Sequence, residues 1–154
     1  MQFQRLKIFL TVLLLALSGS NVAALEANDL QLEQYQGKVV VVDFWASWCV
    51  PCRRSFPWMN DMQAKYGDQG LVVIAVNVDR ERAAAEEFLA EVPADFRIHY
   101  DNDGVVAEAF GVEAMPSSYV IGRDGEIVAR HLGFKVKKQD EYEVILVKAL
   151  GVSP

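Results

Sequence analysis

Short apolar runs alternate along this chain with stretches of helical period, and that alternation sets the expected architecture. Val39 to Phe44 is a continuous, mostly β-branched apolar run broken by one acid, Asp43, which predicts a strand buried on both faces. From Pro51 to about Tyr66 the period is helical, with Phe56, Met59, Met62 and Tyr66 on one side and Pro57 expected to bend the helix. Leu71 to Val78 predicts a second buried strand. Arg80 to Glu91 predicts a charged, Ala-rich helix gripped by Phe88 and Leu89 and stopped by Pro93. Phe96 to Tyr100 is a candidate short strand. Asp101 to Gly104 is a turn into a short helix, Val105 to Phe110, closed by Gly111. Ser117 to Ile121 and Glu126 to His131 flank Arg123-Asp124-Gly125, the signature of an antiparallel hairpin. Tyr142, Ile145, Leu146, Ala149 and Leu150 place a final helix from about Lys138 to Leu150, ended by Gly151. The order β–α–β–α–β–α–β–β–α predicts a three-layer α/β sandwich, a mixed sheet with helices on both faces.

The first two dozen residues stand outside this pattern. Arg5 and Lys7 form a basic start, Ile8 to Leu17 is a ten-residue run that is apolar apart from Thr11, and Val22-Ala23-Ala24 places small residues where signal peptidase requires them. Residues 1–24 are therefore expected to be a signal peptide cleaved after Ala24. The alternative is an uncleaved anchor, although a bilayer span takes roughly 20 apolar residues. The expected location is the periplasm or the exterior, with tethering to the inner membrane if the segment is retained.

The 154 residues suit one domain after that segment, residues 25–154. The net charge is −6, and without Arg5 and Lys7 it becomes −8, which argues against nucleic acid and anionic membrane surfaces as partners. Exported chains usually spend cysteine on structural disulfides. This chain has two cysteines, three positions apart.

Cys49-Val50-Pro51-Cys52 follows the first strand and opens the first helix. At a helix N-terminus the unpaired N–H groups and the macrodipole favour a thiolate, which is the nucleophilic form of cysteine. Cys52, one turn further in, can attack a mixed disulfide from inside. Pro51 has no N–H to lose in the first turn and stiffens the ring. Two plainer readings compete. As a staple, a four-residue loop is worth only roughly 2 kcal/mol of chain entropy. As zinc ligands, the pair would need two more donors, and His99 and His131 fit no compact zinc spacing. Redox chemistry is the expected role.

Val42 to Cys52, Val-Asp-Phe-Trp-Ala-Ser-Trp-Cys-Val-Pro-Cys, closely resembles the active-site stretch of thioredoxins. Pro57 lies five positions after the second cysteine, as in that family. Met115-Pro116 falls where the family carries its cis-proline, and Gly133 where a glycine follows the last strand. The helix and strand between Arg80 and Tyr100 resemble the central α/β insertion of TlpA-like periplasmic thioredoxins. So do Gly111-Val112 and Arg123-Asp124-Gly125-Glu126. The resemblance covers residues 29–151 and implies the thioredoxin fold. Ser55 stands where cytochrome-maturation members often carry glutamate, and Asp43, where they commonly carry asparagine, is the thioredoxin choice. The short stretch before Gly37 implies a reduced N-terminal hairpin.

The resemblance implies a dithiol reductant of protein disulfides with Cys49 as nucleophile and Cys52 as resolving thiol, the two forming the redox-active disulfide. It places Asp43 beneath the cysteines, where a buried carboxyl would take the proton from Cys52; the plainer reading is a strand-end acid facing solvent. It places Pro116 opposite the disulfide, with the Met115 backbone free to pair with an extended substrate; the plainer reading is a turn proline. Trp48, Val50 and Pro51 complete the expected substrate surface, and Trp45 is expected to pack inside. His99 and His131 read as sheet or surface residues, and Lys135, Lys137 and Lys138 as a solvated loop. No metal or organic cofactor is implied. The expected partners are protein disulfides and a membrane electron donor that re-reduces the enzyme, which is expected to be a monomer. The alternatives are a disulfide-inserting oxidant of the same fold and a redox-inert peptide-binding or chaperone module.

Overall fold

Val39–Trp45 is buried at every position, because helices cover one face of this strand and a second layer covers the other. The computed structural model describes residues 27–153; the expected signal segment lies outside them. In chain order the elements are β1 (Val39–Trp45), α1 (Val50–Tyr66), β2 (Leu71–Asn77), α2 (Arg82–Glu91), β3 (Arg97–Tyr100), α3 (Val105–Ala109), β4 (Ser117–Ile121), β5 (Ile127–Leu132) and α4 (Gln139–Leu150). Two 3₁₀ turns, Ala27–Leu30 and Leu32–Tyr35, precede β1, where the resemblance placed a reduced hairpin.

The sheet has five strands in the order β3-β2-β1-β4-β5. β2 runs parallel to β1 and β3, and β4 runs antiparallel to β1 and β5, so the sheet is mixed as expected. Val39, Val41 and Trp45 face α1, α2 and α4, where Met59, Phe88 and Leu146 fill the core. Val40, Val42 and Phe44 face α3 and the first 3₁₀ turn, against Val106, Tyr119 and Leu30. This is the three-layer arrangement the hydrophobic pattern predicts.

Two element boundaries differ from the expected ones for identifiable physical reasons. α2 begins at Arg82 rather than Arg80, because the Asp79 carboxyl is held by Asn77 and Ser47 and keeps the chain out of the helix. β5 runs Ile127–Leu132, one residue later than expected, because a bulge interrupts its pairing: Ile121 faces Ile127 but Val120 faces Ala129. α1 is a single helix through Pro57, which sits exposed on its outer side. No helix among the described residues is long and apolar enough to cross a membrane.

An aromatic cluster supports the end of β1. The Trp45 ring lies 4.9 Å from Phe56 and 4.6 Å from Phe88, which is itself 5.1 Å from Phe56. Phe88 is 2% exposed and joins α2 to the strand that carries the cysteine loop. Phe88→Ala is expected to cost about 3–5 kcal/mol, read as a lower midpoint of urea unfolding at unchanged slope.

Candidate active site

The chain leaves β1 at Trp45, turns through Ala46-Ser47-Trp48 and enters α1 at Val50. Cys49 is the N-cap, with an extended backbone at φ −84° and ψ 102°. Its sulfur takes the capping role that an oxygen usually fills, accepting from the Cys52 N–H at 3.2 Å. Cys49 and Cys52 are joined as a disulfide with Cα atoms 5.3 Å apart. Cys52 is sealed at 0% exposure, Cys49 retains 3%, and beside them Trp48 and Val50 stand out at 70% and 59%. A negative charge on Cys49 would meet the free N–H groups of the first helical turn, and Pro51 in that turn has no N–H to contribute.

The loop before Cys49 is tied to the end of β2 by a carboxylate that the sequence pattern does not single out. Asp79 accepts from the Ser47 N–H at 2.8 Å, the Ser47 hydroxyl at 2.9 Å and the Asn77 side-chain amide at 2.7 Å. The Asp79 N–H donates back to Asn77 Oδ1 at 3.1 Å. The Val78 N–H donates to the Trp45 carbonyl at 3.0 Å. This buried network fixes the approach to the cysteines from beneath.

Ser117 pairs with Phe44, so Pro116 reaches the end of β1 from which the cysteine loop springs. The Met115–Pro116 bond is cis, and Pro116 is buried while Met115 is half-buried. The Pro116 carbonyl accepts from the Gly133 N–H at 2.8 Å, and Gly133 makes its turn at φ +72°, a region that favours glycine. The expected substrate-side residues therefore gather at one end of the sheet.

Asp43 sits in mid-strand, 1% exposed, with Ala75 and Ser118 as its neighbours across the sheet. It shares the face of Val41 and Trp45, towards α1, and is not a strand-end acid facing solvent. The Ser118 hydroxyl donates to Oδ1 at 2.5 Å, while Oδ2 is buried with no hydrogen-bond partner among the described residues. Burial disfavours the charged form and pushes this carboxyl up to about 7, with the Ser118 hydrogen bond pulling the other way. Asp43 lines a small cavity with Ser55, one turn past Cys52 on α1, and with Ser118 and His131. The Ser55 hydroxyl donates to the Cys52 carbonyl at 3.1 Å.

Ser118 and His131 are additions to the site that composition and period do not reveal; only the pairing of the hairpin brings them to Asp43. His99 lies on β3, half-buried, away from this cavity. Among the described residues no group of three or more His, Cys, Asp and Glu side chains could hold a metal ion. The arrangement combines a sulfur at a helix N-terminus, a sealed second sulfur, a buried acid and an exposed aromatic rim, which suits dithiol–disulfide exchange.

The Redoxin family pattern matches residues 16–146. The thiol-disulfide oxidoreductase ResA of Bacillus thuringiensis subsp. konkukian is 32% identical over 122 residues, covering 79% of this chain and 70% of that protein. A Chlorobium tepidum crystal structure described as a thiol:disulfide interchange protein DsbE is 47% identical, with a TM-score of 0.76, covering 78% of this chain and 85% of that one. The structure of MTB dsbF in mixed oxidized and reduced forms is 26% identical, with a TM-score of 0.68 over 76% and 84% of the two chains. This chain belongs to the Redoxin family and is a TlpA-like thiol–disulfide oxidoreductase of the thioredoxin superfamily.

Proposed function

We propose that the enzyme is an exported reductant of protein disulfides, with Cys49 as its nucleophile. The observation that carries this is the asymmetry of the pair: Cys49 caps α1 at the exposed rim, whereas Cys52 is sealed behind it. The Cys49 thiolate attacks a substrate disulfide, a new S–S bond joins enzyme and substrate, and one substrate thiol leaves. Cys52 then loses its proton to Asp43 and attacks the Cys49 sulfur, releasing the second substrate thiol. Two electrons pass to the substrate, and the enzyme ends with the Cys49–Cys52 disulfide. A membrane electron donor re-reduces it, and the enzyme works as a monomer. An extended substrate segment pairs with the Met115 backbone beside Pro116 and lies over Trp48, Val50 and Pro51.

Insulin reduction in the presence of dithiothreitol tests the assignment. Cys49→Ser is expected to abolish turnover, and Cys52→Ser to trap substrate proteins as mixed disulfides on non-reducing gels. Trapping by Cys49→Ser alone would reverse the roles.

Export rests on the basic start, short apolar run and Val22-Ala23-Ala24. The mature protein is expected to begin at Leu25 when its N-terminus is sequenced from the extracytoplasmic fraction. An intact Met1 on membrane-bound protein would establish an anchor.

Asp43 links this chemistry to stability. A carboxyl raised from 3.8 to about 7 binds a proton in the folded state that the unfolded chain has already lost. The fold therefore loses stability as pH rises from about 4 to about 7, by about 4 kcal/mol in all. Asp43→Asn escapes this cost, so its advantage in urea unfolding is expected to be absent at acidic pH and to grow across that window. Resolution of the mixed disulfide is expected to slow by about a hundredfold in the same variant. A variant that is less stable at every pH and resolves normally would reduce Asp43 to a strand residue.

A further inference from the structure

A carboxyl that takes a proton from Cys52 in every cycle must also release it, and Asp43 lies in the central strand of a five-stranded sheet. The strand register shows a way out. Asp43 lies opposite Ser118 on β4, and Ser118 lies opposite His131 on β5. Residues directly opposite in antiparallel strands share a face, with Cβ atoms about 5 Å apart. The three side chains therefore form a row from the buried centre to the edge strand. All three line one cavity of about 20 Å³ between the sheet and helices α1 and α4, enough for a single water.

We propose that His131 is the proton outlet of the active site, exchanging protons between solvent and Asp43 through the Ser118 hydroxyl and a water in the shared cavity. This rests on Asp43 being the acceptor for Cys52. A hydroxyl has one proton and two lone pairs. Ser118 donates to Asp43 Oδ1 when that carboxyl is ionised; when the carboxyl is protonated, the hydroxyl accepts from it and turns its own proton to the cavity water. In release, the Asp43 carboxyl proton passes to the Ser118 oxygen as the Ser118 hydroxyl proton passes, through the water, to a ring nitrogen of neutral His131. The imidazolium then gives its proton to bulk water. Asp43 ends as carboxylate, and Ser118 and His131 end as they began.

The surroundings suit that task. Among the described residues the titratable groups lining the cavity are Asp43 on β1, His131 on β5 and Tyr142 on α4, and α1 contributes no charged group to it. The Tyr142 hydroxyl accepts from the Lys135 N–H at 3.3 Å, and its ring holds the imidazole at 4.8 Å. Desolvation lowers His131 from its ordinary 6.5 and raises Asp43 to about 7, so near neutral pH part of the carboxyl is protonated and must pass that proton to the neutral imidazole before it can accept the one from Cys52. His131 is half-buried on an edge strand, which gives it access to solvent. It acts through Asp43 and not on a sulfur.

The test is stopped-flow oxidation of the dithiol enzyme by a peptide disulfide, followed by Trp fluorescence, in dilute buffer near neutral pH. His131→Gln and Ser118→Ala are each expected to slow resolution by about tenfold. Added imidazole is expected to restore His131→Gln by replacing the missing proton carrier, and to leave Asp43→Asn slow. Adding His131→Gln to Asp43→Asn is expected to change nothing further, because the two act in series. Full-speed resolution by Asp43→Asn would remove the acceptor itself. A slow Asp43→Asn beside a His131→Gln as fast as the parent would leave the acceptor standing and overturn the outlet. A slow His131→Gln that imidazole does not restore would mark a packing defect and overturn it equally.

Discussion

A carboxyl group in the middle of an otherwise apolar strand is the constraint on which this molecule turns. Asp43 is covered by α1 on its own face of the sheet, and its strand neighbours are buried on the other. One oxygen has the Ser118 hydroxyl and the other has no protein partner among the described residues. Desolvation of that kind destabilises the charged form by several kcal/mol. The surrounding core must supply the compensating stability, and the tightly packed cluster of Trp45, Phe56 and Phe88 supplies part of it one residue pair further along the strand. What the fold gains is a carboxyl whose proton affinity lies near neutral pH.

The same strand delivers the cysteines. β1 ends at Trp45, and five residues later, at Val50, a helix begins whose first turn faces the Cys49 sulfur. That geometry needs the connecting loop held still, and Asp79 holds it with three hydrogen bonds to its side chain, two of them from Ser47. β4, pairing with β1 in the opposite direction, brings Pro116 to the same end of the sheet. The disulfide pair, the buried acid and Pro116 are thus all referred to one central strand.

The elements that position the site are legible in the sequence because each has a strong local signal. The run around Asp43 reads as a doubly buried strand, Cys49-Val50-Pro51-Cys52 reads as a helix start, and the final helix shows its apolar face at Tyr142, Leu146 and Leu150. Asp43 stands out because an acid interrupts valines. Asp79 does not, since an acid just past a strand looks like any solvated turn until its three donors are seen. His131 is hidden by a subtler effect. Counting back from the Arg123-Asp124-Gly125 turn without a bulge pairs Ser118 with Arg130 and points His131 to the opposite face. The bulge at Val128 adds one residue to β5 and turns His131 towards Asp43. Period and composition carry no trace of that insertion, whose effect appears only in the pairing.

The most direct measurement is the titration of the Asp43 carboxyl itself, by carbon NMR of selectively labelled protein in the disulfide form. A midpoint of about 7 is expected from its burial beside Ser118. A midpoint in the ordinary aspartate range, near 4, would show a solvated carboxyl and contradict both its burial and its part in moving the Cys52 proton.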